Sequence, residues 1–455
     1  MRFTLLLTLA LLSSIACAEP PKLTGTFTLS IQNGTIEADV QLSNIPSIKN
    51  YYIFINSGLN IQYFRDKHDR FNYAYKKHYN NEYSYESFGY YLPDNTGEAK
   101  FLPEAVKVKY AGKFPVISDM AKASDRGDWK GNIAFNGKTV RTDGMQAAWY
   151  PVLYDIDNDV RFDSVAYDIE IKCADCKSIY VNGSSPVAGQ SGKFRSEKPV
   201  QLMLFAGDFD VAESNGSLFL NSGLSKEQML EFSNVTSSFE QFYQNKLALP
   251  YGEDVVFIHT TPTSKNNSWL FVAYPSIVNI SHSKSGLSDL INEEKSDWFK
   301  PFIAHELAHY YFGTYRKFNS ELGDMLSESF AEYLSLKLTQ ELLGEAVYQG
   351  IIDNKLKQLI DAKLTPIRDI KSSSDYGNRN LYVYTFAPLN WIELEQAIGE
   401  VKMWQWINKL LTVESELTNY DFLIKTLSEV LNDKALLQAV EERYFYAITP
   451  FNSKY

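Results

Sequence analysis

The sequence predicts a multidomain α and β protein, a β-rich N-terminal unit followed by a mainly helical, α+β C-terminal one. Three observations lead there. Strand signals run from Pro20 to about Leu220, and helical periodicity replaces them after about Ser222. The chain of 455 residues is 45% hydrophobic and 22% charged, enough for a sizeable core and too apolar for global disorder. Its 30 Tyr and 28 Phe are residue types that suit packed sheets. No internal repeat or low-complexity tract interrupts this division.

Taken in order, the first element is an export signal. Met1-Arg2 precedes an apolar run from Phe3 to Leu12 and then the small residues Ser13, Ser14, Ala16 and Ala18. The run is shorter than the ~20 residues a membrane-spanning helix needs. Residues 1–18 are therefore assigned to a signal peptide, cut before Glu19 to release an exported, periplasmic or extracellular protein. Cleavage before Cys17 is the alternative and would leave a lipid anchor on that cysteine.

Residues 19–221 form the predicted β-rich unit. Lys22 to Leu29, Thr35 to Leu42 and Tyr51 to Ile55 are β-prone runs separated by Asn-Gly and Ser-Gly turns. Asp163 to Cys173 and Pro199 to Phe205 continue the pattern. Tyr63 to Tyr91, aromatic and polar with two lone histidines (His68 and His78), reads as a surface loop. Cys173 and Cys176, three apart at a strand end in an exported chain, predict a local disulfide rather than a redox or metal pair.

Residues 222–455 form the second unit. Met229, Phe232, Val235, Phe239 and Phe242 recur at helical spacing within Lys226 to Lys246. Two β segments follow, Asp254 to His259 and Leu270 to Ile280. Helices are then predicted at Phe302 to Phe312, Asp324 to Leu343, Leu381 to Ile398, Met403 to Leu411, Tyr420 to Leu431 and Lys434 to Phe445.

Charge and cysteine content exclude several functions. With 44 basic and 55 acidic residues the net charge is −11, the wrong sign for a partner rich in phosphate, so no nucleic acid is expected. Three cysteines are too few for a disulfide scaffold or a four-cysteine zinc module.

The chemistry lies in His305-Glu306-Leu307-Ala308-His309, with Pro301 expected to stand just before the helix and Gly313 to stop it. Histidines four apart project from one helical face and can share a metal ion. Glu306, beside the first of them, is placed to act as general base on water. Only six histidines occur in the chain, and two polar imidazoles against Ile303, Leu307 and Phe312 call for a partner such as zinc. One Zn2+ per chain is expected, with a third protein ligand and one position for water. Glu328 is a candidate; Glu321, Asp324 and Glu332 compete on spacing alone.

The motif, the 18 residues after His309, and Ser327-Glu328-Ser329-Phe330-Ala331 resemble the zinc signature of the alanyl aminopeptidase (aminopeptidase N) family of gluzincins. Tyr311-Phe312-Gly313 resembles that family's Trp-Phe-Gly. The resemblance implies Glu328 as the third metal ligand, with Ser327 and Ser329 where the family has Asn and Gly. It implies Tyr384, within Tyr384-Thr385-Phe386-Ala387, as the phenol that stabilises an oxyanion, with Tyr382 as neighbouring rival. It also implies a saddle-like N-terminal domain, a thermolysin-like catalytic domain, and a peptide as substrate.

One departure bears on specificity. The family's Gly-x-Met-Glu-Asn strand, whose glutamate binds a substrate's free amine, has Leu270-Phe271-Val272-Ala273-Tyr274-Pro275-Ser276 as its nearest counterpart. No glutamate occurs between Val255 and Asn292, although Asp289 or an N-terminal-domain residue could substitute. His259 and His282, near these strands, are expected at the surface or lining the cleft rather than on the metal. The expected function is an exported zinc metallopeptidase, aminopeptidase-like on short peptides; the alternative is a non-catalytic, zinc-stabilised binding or surface protein on the same fold.

Overall fold

The computed structural model describes residues 20–448 except 73, 78–85, 95, 97–98, 126–127, 129, 145, 159, 253, 266–268, 283–285 and 416. The signal peptide, Cys17 and His78 lie outside the described residues. No helix among the described residues is long and apolar enough to cross a membrane.

Alternating burial builds the N-terminal domain. In Thr35–Ser43 the residues Ile36, Ala38, Val40 and Leu42 point inward while their neighbours face outward. The strand joins a seven-stranded sheet, in which Lys22–Ser30 pairs antiparallel with Thr35–Ser43 and parallel with Ser164–Cys173. Two five-stranded sheets complete the domain, one around the wholly buried Tyr51–Asn56, the other around Leu204–Gly207. All three contribute to one core that includes Phe27, Phe54, Tyr110 and Trp149. Cys173 and Cys176 are joined in a disulfide at the end of their strand.

Parts of the stretch Tyr63 to Tyr91, expected as a loop, are strands. Leu59–Arg65 and Ser87–Tyr91 are strands in two different sheets. Aromatic residues in that stretch pack across them, with Phe64 and Tyr90 ring centroids 5.6 Å apart and Tyr75 and Tyr91 likewise 5.6 Å. His68 lies exposed in a turn between strands.

The second domain opens on a mixed five-stranded sheet, in the order Val211–Ser214, Ser217–Leu220, Val256–Thr260, Ser276–Ile280, Trp269–Ala273. The expected boundary at residues 221/222 falls after the first two of these strands. By pairing, Val211–Leu220 belongs with this sheet, since Ser217–Leu220 runs parallel to Val256–Thr260. The run Leu270 to Ile280 is two strands, not one, folding into a hairpin at Tyr274-Pro275.

Helices cover one face of this sheet. They are α1 (Lys226–Leu247), α2 (Ser296–Ala308), α3 (Gly323–Leu338), α4 (Glu345–Gln358), α5 (Ala387–Ile398), α6 (Glu400–Thr412), α7 (Tyr420–Leu431) and α8 (Lys434–Tyr444). Ser225 starts α1 with a capping box to Gln228. Phe232 of α1 meets Phe257 edge-on at 4.7 Å, tying helix to sheet.

The other face of the sheet meets the N-terminal domain. Tyr180, Met203 and Phe205 from that domain share a core with Ile258, Phe271 and Val278. Polar contacts fix the register: Tyr180 Oη lies 2.7 Å from Ser276 Oγ, and Asn182 Nδ2 donates to the carbonyls of Ala273 and Tyr274.

Candidate metal centre

Two adjacent helices carry the centre. Helix α2 begins at Ser296, so Pro301 lies inside it rather than just before it, and the carbonyl of Pro301 accepts from Ser335 Oγ of α3 at 2.6 Å. The helix tightens after Ala308, where the amide of Tyr310 donates to Leu307 O, and Gly313 turns the chain away with a φ of +139°. His309 keeps right-handed helical backbone angles at the cap, so it stays one turn from His305. Stacked rings lock α2 to α3: Phe312 on Phe330 at 5.0 Å, and Phe330 on Trp391 of α5 at 4.9 Å. Ser329 has a place in this lock, because its Oγ accepts from Trp391 Nε1 at 2.8 Å. A glycine there would leave the indole N–H without that acceptor.

This packing brings His305, His309 and Glu328 together. The two Nε2 atoms are 3.2 Å apart, and Glu328 Oε2 lies 3.5 Å from His305 Nε2 and 3.3 Å from His309 Nε2. Donors about 3.3 Å apart are what a four-coordinate ion with bonds of about 2.0–2.2 Å requires. The outer nitrogens are engaged elsewhere. His305 Nδ1 is 2.8 Å from Glu332 Oε2, and His309 Nδ1 is 3.0 Å from the Phe312 carbonyl. Both partners are acceptors, so each Nδ1 would keep its proton when a metal is bound and each Nε2 could turn its lone pair to the common point. Two imidazoles and a carboxylate form a donor set suited to zinc.

The rival acids are sorted by these contacts. Glu332 orients His305 from behind and is itself held by Lys355 Nζ at 2.6 Å. Asp324 is gripped by Arg379 at 2.5 and 2.8 Å. The carbonyl of Glu321 accepts from Tyr376. Arg379 also reaches Glu328 Oε1 at 3.3 Å, leaving Oε2 for the histidines.

Charge follows the same pattern. Burial would raise the Glu328 carboxyl, but the positive His309 and hydrogen bonds from both histidines hold it well below the usual range. Burial also opposes ionisation of Glu332, yet Lys355 and His305 bring it down to about 2. Burial depresses His305, and Glu328 and Glu332 outweigh it, pushing the imidazole up to about 10. A pocket that draws a proton so strongly draws a divalent cation for the same reason. Glu306 is only 8% exposed, and burial pushes its carboxyl upward against the pull of the two histidines.

Tyr384 stands over the centre, its ring centroid 5.8 Å from that of His305. It lies in a π-helical turn, Tyr382–Phe386, between a short helical segment and α5. The rival Tyr382 is fully buried and its hydroxyl donates to the Thr365 carbonyl. Burial, with the negative Glu328, pushes the Tyr384 phenol up, so it stays protonated.

Sequence reasoning missed Lys355 and Arg379. Lys355 joins Glu332 to the Tyr384 carbonyl, which accepts at 2.6 Å. It sits on α4, a helix whose apolar pattern is broken by Gly350 and by charged residues. His259 is buried beside Asn279, not at the surface, and His282 is exposed; neither joins the centre. Asp289 bonds Lys295 at 3.0 Å. Among the described residues the one other metal-compatible group contains the disulfide cysteines.

No family model matches this chain, and no curated protein does. Solved structures do. Native leukotriene A4 hydrolase from Saccharomyces cerevisiae aligns with a TM-score of 0.67 at 14% identity, over 95% of this chain and 68% of that one. A variant of the M1 zinc metallopeptidase from Deinococcus radiodurans, bound to a Tyr-Ser-Ala substrate, aligns at 0.64 with 13% identity over 95% of both chains. A further structure of the M1 zinc metallopeptidase from Deinococcus radiodurans gives 0.60 at 13% identity, over 95% of this chain and 94% of that one. Over 95% of its length the chain thus shares the overall fold of these solved structures, M1 zinc metallopeptidases among them.

Proposed function

We propose that the chain is a zinc metallopeptidase of the M1 type that hydrolyses peptide bonds in short peptides. The observation that carries this reading is the convergence of three donors at 3.2–3.5 Å, with a buried glutamic acid next to the first of them. His305, His309 and Glu328 would hold one Zn2+ per chain. When bound, zinc supplies a Lewis acid that activates water and polarises a carbonyl.

The chain's own residues do the rest. Glu332 and the Phe312 carbonyl keep the Nδ1 protons and so the ring orientations. Glu306 takes a proton from the attacking water and returns it to the leaving amine. Its upward shift makes it a stronger base than a solvated carboxylate. Tyr384 donates its phenol hydrogen to the oxygen that gains charge. Arg379 steadies Glu328 and lies 5.6 Å from the Tyr384 ring.

One structural relative is described with the tripeptide Tyr-Ser-Ala as substrate, which supports short peptides as the substrate class. An aminopeptidase-like reaction of the aminopeptidase N kind is the finer proposal. Export follows from the leader sequence, either as a soluble protein or with a lipid on Cys17.

Glu306→Gln is expected to keep one zinc per chain and to lose activity by about 10²–10⁴-fold. Tyr384→Phe is expected to lower kcat by about 10²-fold or more with KM little changed. Both are read with an aminoacyl-amide reporter beside an N-blocked peptide, which separates exo- from endopeptidase action. Undiminished hydrolysis by Glu306→Gln would falsify the mechanism. A zinc-loaded wild type that cuts neither reporter would favour a non-catalytic role.

A further inference from the structure

Helix α4 packs inward through Tyr348, Ile352 and Lys355, which follow one another at helical spacing. An ammonium thus holds a place where the pattern calls for an apolar side chain. A buried charge is costly unless it is paired and hydrogen-bonded. Lys355 Nζ meets both needs, with Glu332 Oε1 at 2.6 Å and the Tyr384 carbonyl accepting at 2.6 Å.

The Tyr384 carbonyl is open to this lysine for a reason written in the chain. In an α-helix it would accept from the amide four residues on, and residue 388 is proline. Proline has no amide hydrogen, and its ring crowds the carbonyl four residues back. The backbone is π-helical over Tyr382–Phe386, where the Ala387 amide donates to the Tyr382 carbonyl five residues back. Lys355 donates to the carbonyl that Pro388 cannot serve. Thr385 Oγ1, donating to Gln358 Oε1 at 3.0 Å, ties the same turn to the end of α4. The other acceptor of the ammonium, Glu332, holds His305 Nδ1 at 2.8 Å.

We propose, on the peptidase reading above, that Lys355 is a positioning residue that holds the metal-facing imidazole of His305 and the phenol of Tyr384 in register with each other. Through Glu332 it fixes the ring of His305. Through the carbonyl left open by Pro388 it fixes the turn that presents Tyr384, whose ring stands 5.8 Å from that of His305. One ammonium bonded to both sets the distance between the oxyanion donor and the metal face. Misplacement of such a group by about 1 Å costs roughly 10²-fold in rate.

The test uses full-length protein at saturating zinc and five variants: Lys355→Met, Glu332→Gln, Tyr384→Phe, and Lys355→Met combined with each of the other two. Lys355→Met/Glu332→Gln removes both buried charges, so it strands neither and keeps a folded comparison where Lys355→Met alone does not fold. Lys355→Met is expected to lower kcat about 10–10²-fold with KM changed by less than about threefold. Competition with a chelator is expected to show zinc affinity lowered about tenfold. In the Tyr384→Phe background Lys355→Met is expected to lower kcat by no more than about threefold, because the phenol it places is gone. In the Glu332→Gln background it is expected to lower zinc affinity no further. An undiminished kcat loss in the Tyr384→Phe background, a change in KM alone, or unchanged kcat and zinc affinity would each overturn the proposal. A wild type that binds zinc and cuts no peptide removes the peptidase reading alone. The separation of the Tyr384 and His305 rings in crystals of Lys355→Met/Glu332→Gln then still decides the proposal: an increase beyond 5.8 Å upholds it, and an unchanged distance overturns it.

Discussion

His305 has its two ring nitrogens committed in opposite directions, Nδ1 to Glu332 and Nε2 to the site it shares with His309 and Glu328. In the ion-free protein its pKa stands at about 10 against an ordinary 6.5, so the folded state binds that proton more tightly than the unfolded one. This stabilisation is fully present below pH 6.5 and is lost as pH rises toward 10. Chelated protein is therefore expected to lose melting temperature across that interval. Zinc-saturated protein is expected to lose less, because a metal-bound imidazole holds no proton at Nε2. Differential scanning calorimetry of both forms checks this, and parallel slopes would contradict it. At this scale the sequence was most legible. His305, Glu306 and His309 are related by helical spacing alone, which no tertiary contact needs to supply. Glu332 was visible only as a competing acid, since its place behind His305 depends on how α3 is rotated against α2.

Elements divide in the same way. Tyr420–Leu431 has the bounds its apolar spacing predicts, because one face packs continuously on the core. Helix α4 escaped because only Tyr348, Ile352 and Lys355 of its residues are buried. Yet that helix carries the cation that braces the metal face, linking Glu332 at 2.6 Å with the Tyr384 backbone. Glu332→Ala is expected to lower zinc affinity about 10–100-fold, as removal of such an outer partner commonly does. Competition with a calibrated chelator measures it, and unchanged affinity would show that His305 needs no orienting partner. The π-helical turn at Tyr382–Phe386 was equally hidden. Spacing placed the tyrosines near one helix start, but the extra residue per turn decides which of them faces the centre.

Across the whole molecule, the two units share one sheet as their boundary, with helices on one face and the N-terminal domain on the other. Composition showed the two classes but not this junction, because Val211–Leu220 looks like the strands before it and pairs with those after it. Asn182 is fully buried at the junction, accepting from the Met203 amide and donating to Gln201, Ala273 and Tyr274 carbonyls. Asn182→Ala removes these four hydrogen bonds and is expected to cost roughly 1–3 kcal/mol. Thermal or urea unfolding reads the loss; an unchanged midpoint would show that water replaces the amide. The junction also carries Lys130 to the Val272 carbonyl of the strand Trp269–Ala273. The proposed function rests on a single ion that His305, His309 and Glu328, brought together by α2 and α3, would hold. Diffraction from crystals of the zinc-loaded protein, collected on both sides of the zinc absorption edge, tests that most directly. One anomalous peak per chain bonded to His305 Nε2, His309 Nε2 and Glu328 is the expected result. A chain that takes up no zinc, or a peak held by other residues, would contradict it.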